Sequence, residues 1–257
     1  MRSSGRIALG LALAAAGGCD LVLGVDAQTA PCGDESFASA ARTDVMVADD
    51  FSLSWARDRI VYESGGIVYE MSLPGGEPAV IDAMVYPPSA LALAPEGDAL
   101  FATAQIEPPV LTAAVRTGPA RWEVDGVVPI GTIAGTPSAV EFGPRRVLVR
   151  LRPRIPEVQE YEADGNQWRP IGETHAIPGD RAPNLTPGGL DVVYDDRFAD
   201  QPAVYIAHRS SIDAKFGPPT AILPGAHTSP QLLGRCRSLY TADIEPGHDR
   251  VVRRYEL

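Results

Sequence analysis

Three aspartates, Asp195, Asp196 and Asp200, fall within six positions of the chain. Carboxylate oxygens at that density can chelate calcium, or they can form a solvated loop in which Arg197 pairs with one of them. Four histidines, His175, His208, His227 and His248, have no spacing of the kind a zinc site uses. They are expected to be solvated or loop residues, and neither metal nor cofactor is implied. The cysteines are Cys19, Cys32 and Cys236. No Gly-x-Ser-x-Gly elbow, His-Glu-x-x-His or Cys-x-x-Cys is present, and the single lysine, Lys215, follows Ala214 rather than a phosphate-loop glycine. Glycoside hydrolysis needs one defined pair of carboxylates, and nothing marks such a pair among 33 acidic residues. Asn184-Leu185-Thr186 fits a glycosylation acceptor by coincidence only. No catalytic residue is assigned, and the chain is not expected to be an enzyme.

The N-terminus carries a different kind of chemistry. Arg2 and Arg6 precede a short apolar run from Ile7 to Ala16, followed by two glycines and Cys19. The run is far short of the roughly 20 residues a permanent membrane helix needs, and the layout is that of an export signal. The segment resembles a bacterial lipoprotein signal, which implies cleavage before Cys19 and lipidation of that residue. It departs from that family in having Ala16 where Leu is usual. An ordinary cleaved signal followed by a free Cys19, or an uncleaved anchor, are the alternatives. Residues 1–18 are then a signal peptide, 19–34 a lipidated N-terminus and tether, and 35–257 the folded domain.

Loss of Arg2 and Arg6 leaves 20 basic residues against 33 acidic ones, a formal charge of −13. That balance repels phosphate backbones and excludes nucleic acid as a partner. With Cys19 lipidated, Cys32 and Cys236 form an even pair in an oxidising compartment, where they make a disulfide or remain two free thiols.

Between these residues the chain lacks an amphipathic helix of a dozen residues. Apolar runs of four to eight residues, rich in Val, Ile and Tyr, alternate with Pro-Pro, Gly-Gly, Pro-Gly and Asp-Gly, and 24 prolines and 25 glycines are scattered throughout. This is an all-β pattern, and it repeats. FSLSWARDRIVYE at Phe51, SALALAPEGDALFAT at Ser89, SAVEFGPRRVLVR at Ser138, NLTPGGLDVVYDD at Asn184 and QLLGRCRSLYTAD at Gln231 share one plan. Leu53, Leu93, Phe142, Leu185 and Leu233 stand at equivalent places, separated by 40, 49, 43 and 48 residues. Such a period is that of a four-stranded propeller blade.

A third strand follows each hairpin, and in four units a fourth segment leads on to the next. The fifth unit lacks that segment because the chain ends at Leu257. The stretch ESFASAARTDVMV, Glu35 to Val47, is available to complete the last sheet and cover its edge. That closure brings Cys32 and Cys236 to the same face of one blade, which favours their pairing. The expected architecture is a single β-propeller of five blades, with six as the alternative.

The turns APEG at Ala94 and TPGG at Thr186, each followed by an apolar strand, resemble the TolB-type repeat, a WD-like β-propeller family. Unit four also resembles a longer pattern of secreted bacterial propellers, in AVYIAHRSSIDAKFGPPTAI, and the likeness extends over about Phe37 to Leu257. It is good in unit four and poor in unit three, whose turn GPRR lacks the acidic residue and the glycine. The lipid signal, the repeats and the lack of catalytic motifs point to a noncatalytic, lipid-anchored binding or scaffold module of the cell envelope, periplasmic or surface-exposed, and the resemblance implies that it meets a protein partner. A propeller hydrolase or lyase acting on polysaccharide or peptide is the other reading. Trp55, Trp122 and Trp168 fall in three different units and are expected to pack between blades.

Overall fold

The computed structural model describes residues 31–54, 57–82, 88–94, 97–104, 110–128, 137–140, 146–150, 157–164, 167–178, 183–186, 188–196, 199–243 and 250–257. The chain begins with β1 (Ala41–Val47) and then lays down strands in groups of four. The first group is β2 (Asp50–Leu53), β3 (Arg59–Ser64), β4 (Ile67–Ser72) and β5 (Ala79–Val80). The second is β6 (Pro88–Leu93), β7 (Ala99–Ala104), β8 (Val110–Gly118) and β9 (Arg121–Val128). The third is β10 (Pro137–Val140), β11 (Arg146–Arg150), β12 (Glu157–Asp164) and β13 (Gln167–Ala176). The fourth is β14 (Asn184–Leu185), β15 (Asp191–Asp196), β16 (Ala203–His208) and β17 (Thr220–Pro224). Last come β18 (His227–Leu233), β19 (Ser238–Asp243) and β20 (Val251–Glu256). Each group is an antiparallel meander, and the last is completed in the order β1-β20-β19-β18. Among the described residues there is no helix and no sixth sheet.

The all-β, propeller-like fold read from the repeats is the fold observed. The strand at the N-terminal end does pair with β20, Ala41 opposite Glu256 and Val47 opposite Val251. It begins at Ala41, however, and not at Glu35. Residues 31–37 have no strand partner and instead cross onto the neighbouring sheet, for reasons of side-chain chemistry described below. Cys19 and the signal segment, Trp55 and His248 lie outside the described residues.

The hairpins between the first two strands follow one rule. The fourth residue after the marker leucine has a left-handed backbone in three units, φ 59° at Arg57, 72° at Gly97 and 65° at Gly189, and its N–H donates to the residue three before it. Glycine adopts that conformation without a Cβ penalty, so APEG and TPGG write the turn directly. In the first unit Arg57 takes the same place despite its side chain, which reaches Ser238 and Glu256 of the last sheet at 2.7 Å and 3.1 Å.

Apolar side chains fill every seam between adjoining sheets. Phe51, Ile60, Leu233 and Val252 pack the seam of the last sheet with the first, Val61, Leu100 and Trp122 that of the first with the second, and Phe101, Leu111 and Trp168 that of the second with the third. Val158 packs with Val192 and Tyr194 between the third and fourth, and Val193 and Ile222 with Leu239 and Tyr255 between the fourth and last. The first strands touch in a cycle, β2 with β6, β6 with β10, β10 with β14, β14 with β18 and β18 with β2.

Each first strand has an outer edge with unpaired backbone groups, which must find partners if buried. For β2, β6 and β18, side chains from the preceding sheet supply them. Asp50 Oδ2 accepts the Leu91 N–H at 2.9 Å and Ser52 Oγ that of Leu93 at 2.8 Å. Gln231 does both jobs, its Oε1 accepting from Leu53 N and its Nε2 donating to the Phe51 carbonyl. Asn184 Nδ2 donates to the Pro230 carbonyl at 2.8 Å. Every residue of β2 and β18 is buried.

Candidate functional site

Two buried glutamates stand on third strands, and each draws a cation from the following sheet, Glu70 taking a second from its own. Glu70 on β4 is 5 % exposed and faces Arg59 Nε at 2.8 Å and Arg116 Nε at 3.1 Å, while Trp122 Nε1 donates to it at 2.8 Å. Glu160 on β12 receives Nη1 of Arg209, which follows β16, and the same guanidinium donates through Nε to the Gly189 carbonyl. Arg209 also lies over the Phe216 ring, 4.6 Å from its centroid, and His175 meets that ring edge-on. Both glutamates are almost wholly out of water, and it is these hydrogen-bonded cations that make burial of their charge tolerable.

The second cluster borders a cavity of about 300 Å³ between β12–β13 and the 209–217 segment, lined by Glu160, Ile171, Glu173, His175, Arg209 and Lys215 among others. A bulge between Val158 and Glu160 re-aims this part of the sheet, and Gly172 opposite it has φ 64° with open space where a Cβ would stand. On the floor, burial holds the His175 imidazole below its ordinary value, with Glu160 3.8 Å away pulling the other way. The ring is therefore neutral at pH 7 and offers a donor and an acceptor. At the mouth, Lys215 and Glu173 pair at 2.6 Å and are both largely exposed, so they are free to exchange that contact for another. None of the residues named as lining carries a hydroxyl or thiol. The cavity has what a polar recognition pocket needs, paired charges, a neutral imidazole and two isoleucines, Ile171 and Ile212.

The aspartates singled out by sequence do not converge. Asp195 is 1 % exposed and is the fifth residue of β15, Asp196 ends that strand and caps Ala199 N at 3.0 Å, and Asp200 lies in the turn beyond. Among the described residues, the group whose donor atoms come together as a metal would require is Cys32, Asp191 and Cys236. There the two sulfurs are bonded to each other, Cα atoms 5.7 Å apart.

The histidines correct the expectation of solvated loops. His227 Nδ1 lies 2.6 Å from Asp243 Oδ1, and Asp243 also accepts from Thr241, Arg253 and Tyr255. Burial opposes the charge of Asp243, yet the hydrogen bonds from His227 and Arg253 hold its carboxyl far below the usual range. His208 sits between two carboxylates, Nδ1 2.6 Å from Asp191 and Nε2 2.6 Å from Asp34. Burial disfavours its charge, but those two bonds outweigh it and raise the imidazole above its ordinary value. Sequence spacing gave no sign of these partners, because Asp34 is 174 positions away from His208. Trp122 and Trp168 do pack between sheets, the latter edge-on to Phe101 at 5.6 Å.

No family model and no curated protein matches the sequence. Solved structures do match. TolB from Acinetobacter baumannii superimposes with a TM-score of 0.53 at 13 % identity, over 85 % of this chain and 55 % of its own. A protein assigned as TolB from Agrobacterium tumefaciens gives 0.51 at 12 % identity, over 83 % and 78 %. A functionally unknown protein from Desulfotomaculum acetoxidans gives 0.51 at 13 %, over 76 % and 62 %. The chain thus has the TolB-like β-propeller fold and spans little more than half the length of the first of these structures.

Proposed function

We propose that this chain is a lipid-anchored, noncatalytic binding or scaffold module of the bacterial cell envelope, a propeller of five blades that engages a protein partner through its rim. Residues 1–18 are its export signal, Cys19 its lipid site and residues up to 34 its tether, with the membrane reached through the lipid alone. Five blades are supported by the five apolar seams and by the cycle of touching first strands. The TolB-like fold supports a scaffold role through architecture only.

The observation that carries the reading is where the polar recognition chemistry lies. The inner strands β2 and β18 are buried and hydrogen-bonded to their neighbours, whereas the cavity beside Lys215, Glu173 and His175 opens at the periphery. Loops and rims held by a rigid scaffold are where binding residues concentrate. The test joins anchor to rim. Envelope material captured on the full chain is compared with that captured on Lys215→Glu and Glu173→Lys variants, and Cys19→Ala is assayed for palmitate incorporation and membrane release. A partner lost from both rim variants while folding is retained is expected. Capture that is indifferent to the rim overturns the assignment of the cavity, and a full chain that takes up no palmitate, or as much as its Cys19→Ala variant, overturns the lipid anchor.

A further inference from the structure

Residues 31–37 form no strand, yet they are fastened to the seam between the fourth and last sheets. Cys32 is bonded to Cys236 in the first turn of the last sheet and donates its N–H to Asp191 Oδ2 at 3.0 Å. Phe37, 2 % exposed, fills the apolar seam and donates its N–H to the Ile222 carbonyl at 2.7 Å. Between these two points Asp34 reaches His208.

Asp191 is the hub. It is fully buried, and besides the Cys32 amide it takes the Thr186 hydroxyl at 3.1 Å and His208 Nδ1 at 2.6 Å. His208 therefore stands between a buried carboxylate and one whose side chain is 54 % exposed. Protonated, the ring donates from both nitrogens and carries one positive charge between two negative ones. Neutral, it keeps one N–H, and the other nitrogen then presents a lone pair to a carboxylate oxygen across a hydrogen-bond distance. The buried carboxylate has no solvent to turn to, so the N–H stays with Asp191 and the Asp34 contact gives way.

We propose that Pro31 to Phe37 is a latch across the seam of the fourth and last sheets, closed while His208 is protonated and released at Asp34 as pH rises, with the Cys32–Cys236 disulfide limiting how far it opens. The groups facing His208 are Asp191 of β15 and Asp34 of the latch; its neighbour Arg209 turns away to Gly189 and Glu160. The raised imidazole supports the same sign, since its favourable contribution is complete below the unfolded value near 6.5 and is lost as pH climbs through the folded one.

The test uses the full chain. Amide exchange at Cys32, corrected for its intrinsic pH dependence, is followed from pH 5.5 to 8.5 with the disulfide intact and after reduction by a dithiol, and the His208 ring is titrated by NMR. Protection at Cys32 is expected to fall as pH rises from the unfolded value near 6.5 to the His208 midpoint of the folded chain, by up to about tenfold per unit in the reduced chain and by less in the oxidised one, and to level off above that midpoint. Asp34→Asn, at an exposed position, is expected to lower that midpoint and flatten the profile, and His208→Asn, which leaves no ring to titrate, is expected to flatten the profile as well. Equal corrected protection at both ends of the range, or a His208 midpoint unmoved by Asp34→Asn, overturns the latch. Identical profiles before and after reduction overturn the restraining role of the disulfide.

Discussion

At the scale of single residues, the stability of this ring rests on charges kept out of water. The Arg209 side chain is 1 % exposed and that of Glu160 3 %, so removing one leaves the other stranded. Glu160→Ala is expected to cost about 3 to 5 kcal/mol, read as a shift of the urea midpoint at constant slope. Glu160→Leu with Arg209→Met should recover much of that loss, because no ion is then left unpaired; a double variant as weak as the sum of its parts would contradict the argument. Asp243 sets the acid response. Its folded value is depressed, so its contribution is present above the unfolded value near 3.9 and is lost as pH falls through the folded one. Asp243→Asn is therefore expected to unfold at lower temperature than the wild type at pH 6, with the gap narrowing below about pH 4. A gap constant from pH 6 to pH 2 would show that the carboxylate's charge is not what matters. None of these pairs was legible in the sequence. Glu160 and Arg209 are 49 positions apart, Leu53 and Gln231 178 apart, and a linear reading detects partners only when period or adjacency announces them.

At the scale of elements much more was legible, because strand and turn are local. IVYEMS and VVYDD are short runs led by Val, Ile and Tyr, which favour strands, and Pro-Glu-Gly and Pro-Gly-Gly can do little but turn the chain. The structure places Gly97 and Gly189 at the left-handed positions those turns require. Gly189→Ala would put a Cβ into that conformation, with Arg209 Nη2 3.4 Å from it, at a cost of about 1 to 2 kcal/mol; denaturant unfolding that shows no loss would mean the turn has another low-energy form. Legibility failed where a segment's fate depended on something non-local. The fourth strand of the first unit is reduced to Ala79–Val80, although AVIDAMVY reads as a longer run. Residues 35–40 look as strand-like as those that follow, but Phe37 drops into a seam that only the assembled ring creates. The alternating polar residues of the inner strands, Asp50 with Ser52 and Ser229 with Gln231, were the one available sign that these edges are clasped. Gln231→Leu is expected to cost about 1 to 3 kcal/mol, since the Leu53 N–H and the Phe51 carbonyl lose their partner in a buried place.

At the scale of the whole molecule, the ring has one joint that differs from the rest. Four sheets are each made from a continuous stretch of chain, so their strands are held by short turns, while the last draws β1 from the opposite terminus. Pairing β1 with β20 therefore requires the chain ends to meet, an entropic demand that the other sheets do not face. The disulfide, with a sequence separation of 204, meets that demand in advance by holding the unfolded chain in a closed loop. In the chain-entropy account this is worth about 5 kcal/mol, a figure that depends on the model. Apolar seams couple every sheet to two others, so the intact protein is expected to unfold in a single transition. Reduction, or Cys32→Ser with Cys236→Ser, should lower the midpoint and make the β1 joint the first to open, since the rest keeps its local turns and seams. Limited proteolysis reads this directly, with early cuts expected between residues 31 and 47 in the reduced chain and resistance there in the oxidised one. A freed β20 edge also invites pairing with a second molecule, so the reduced chain should lose monomer on a sizing column as concentration rises. Cuts distributed evenly among the sheets after reduction would mean that the closing joint is no weaker than the others, and that β1 is held by the seam packing of Phe37 and Met46 rather than by the covalent bridge.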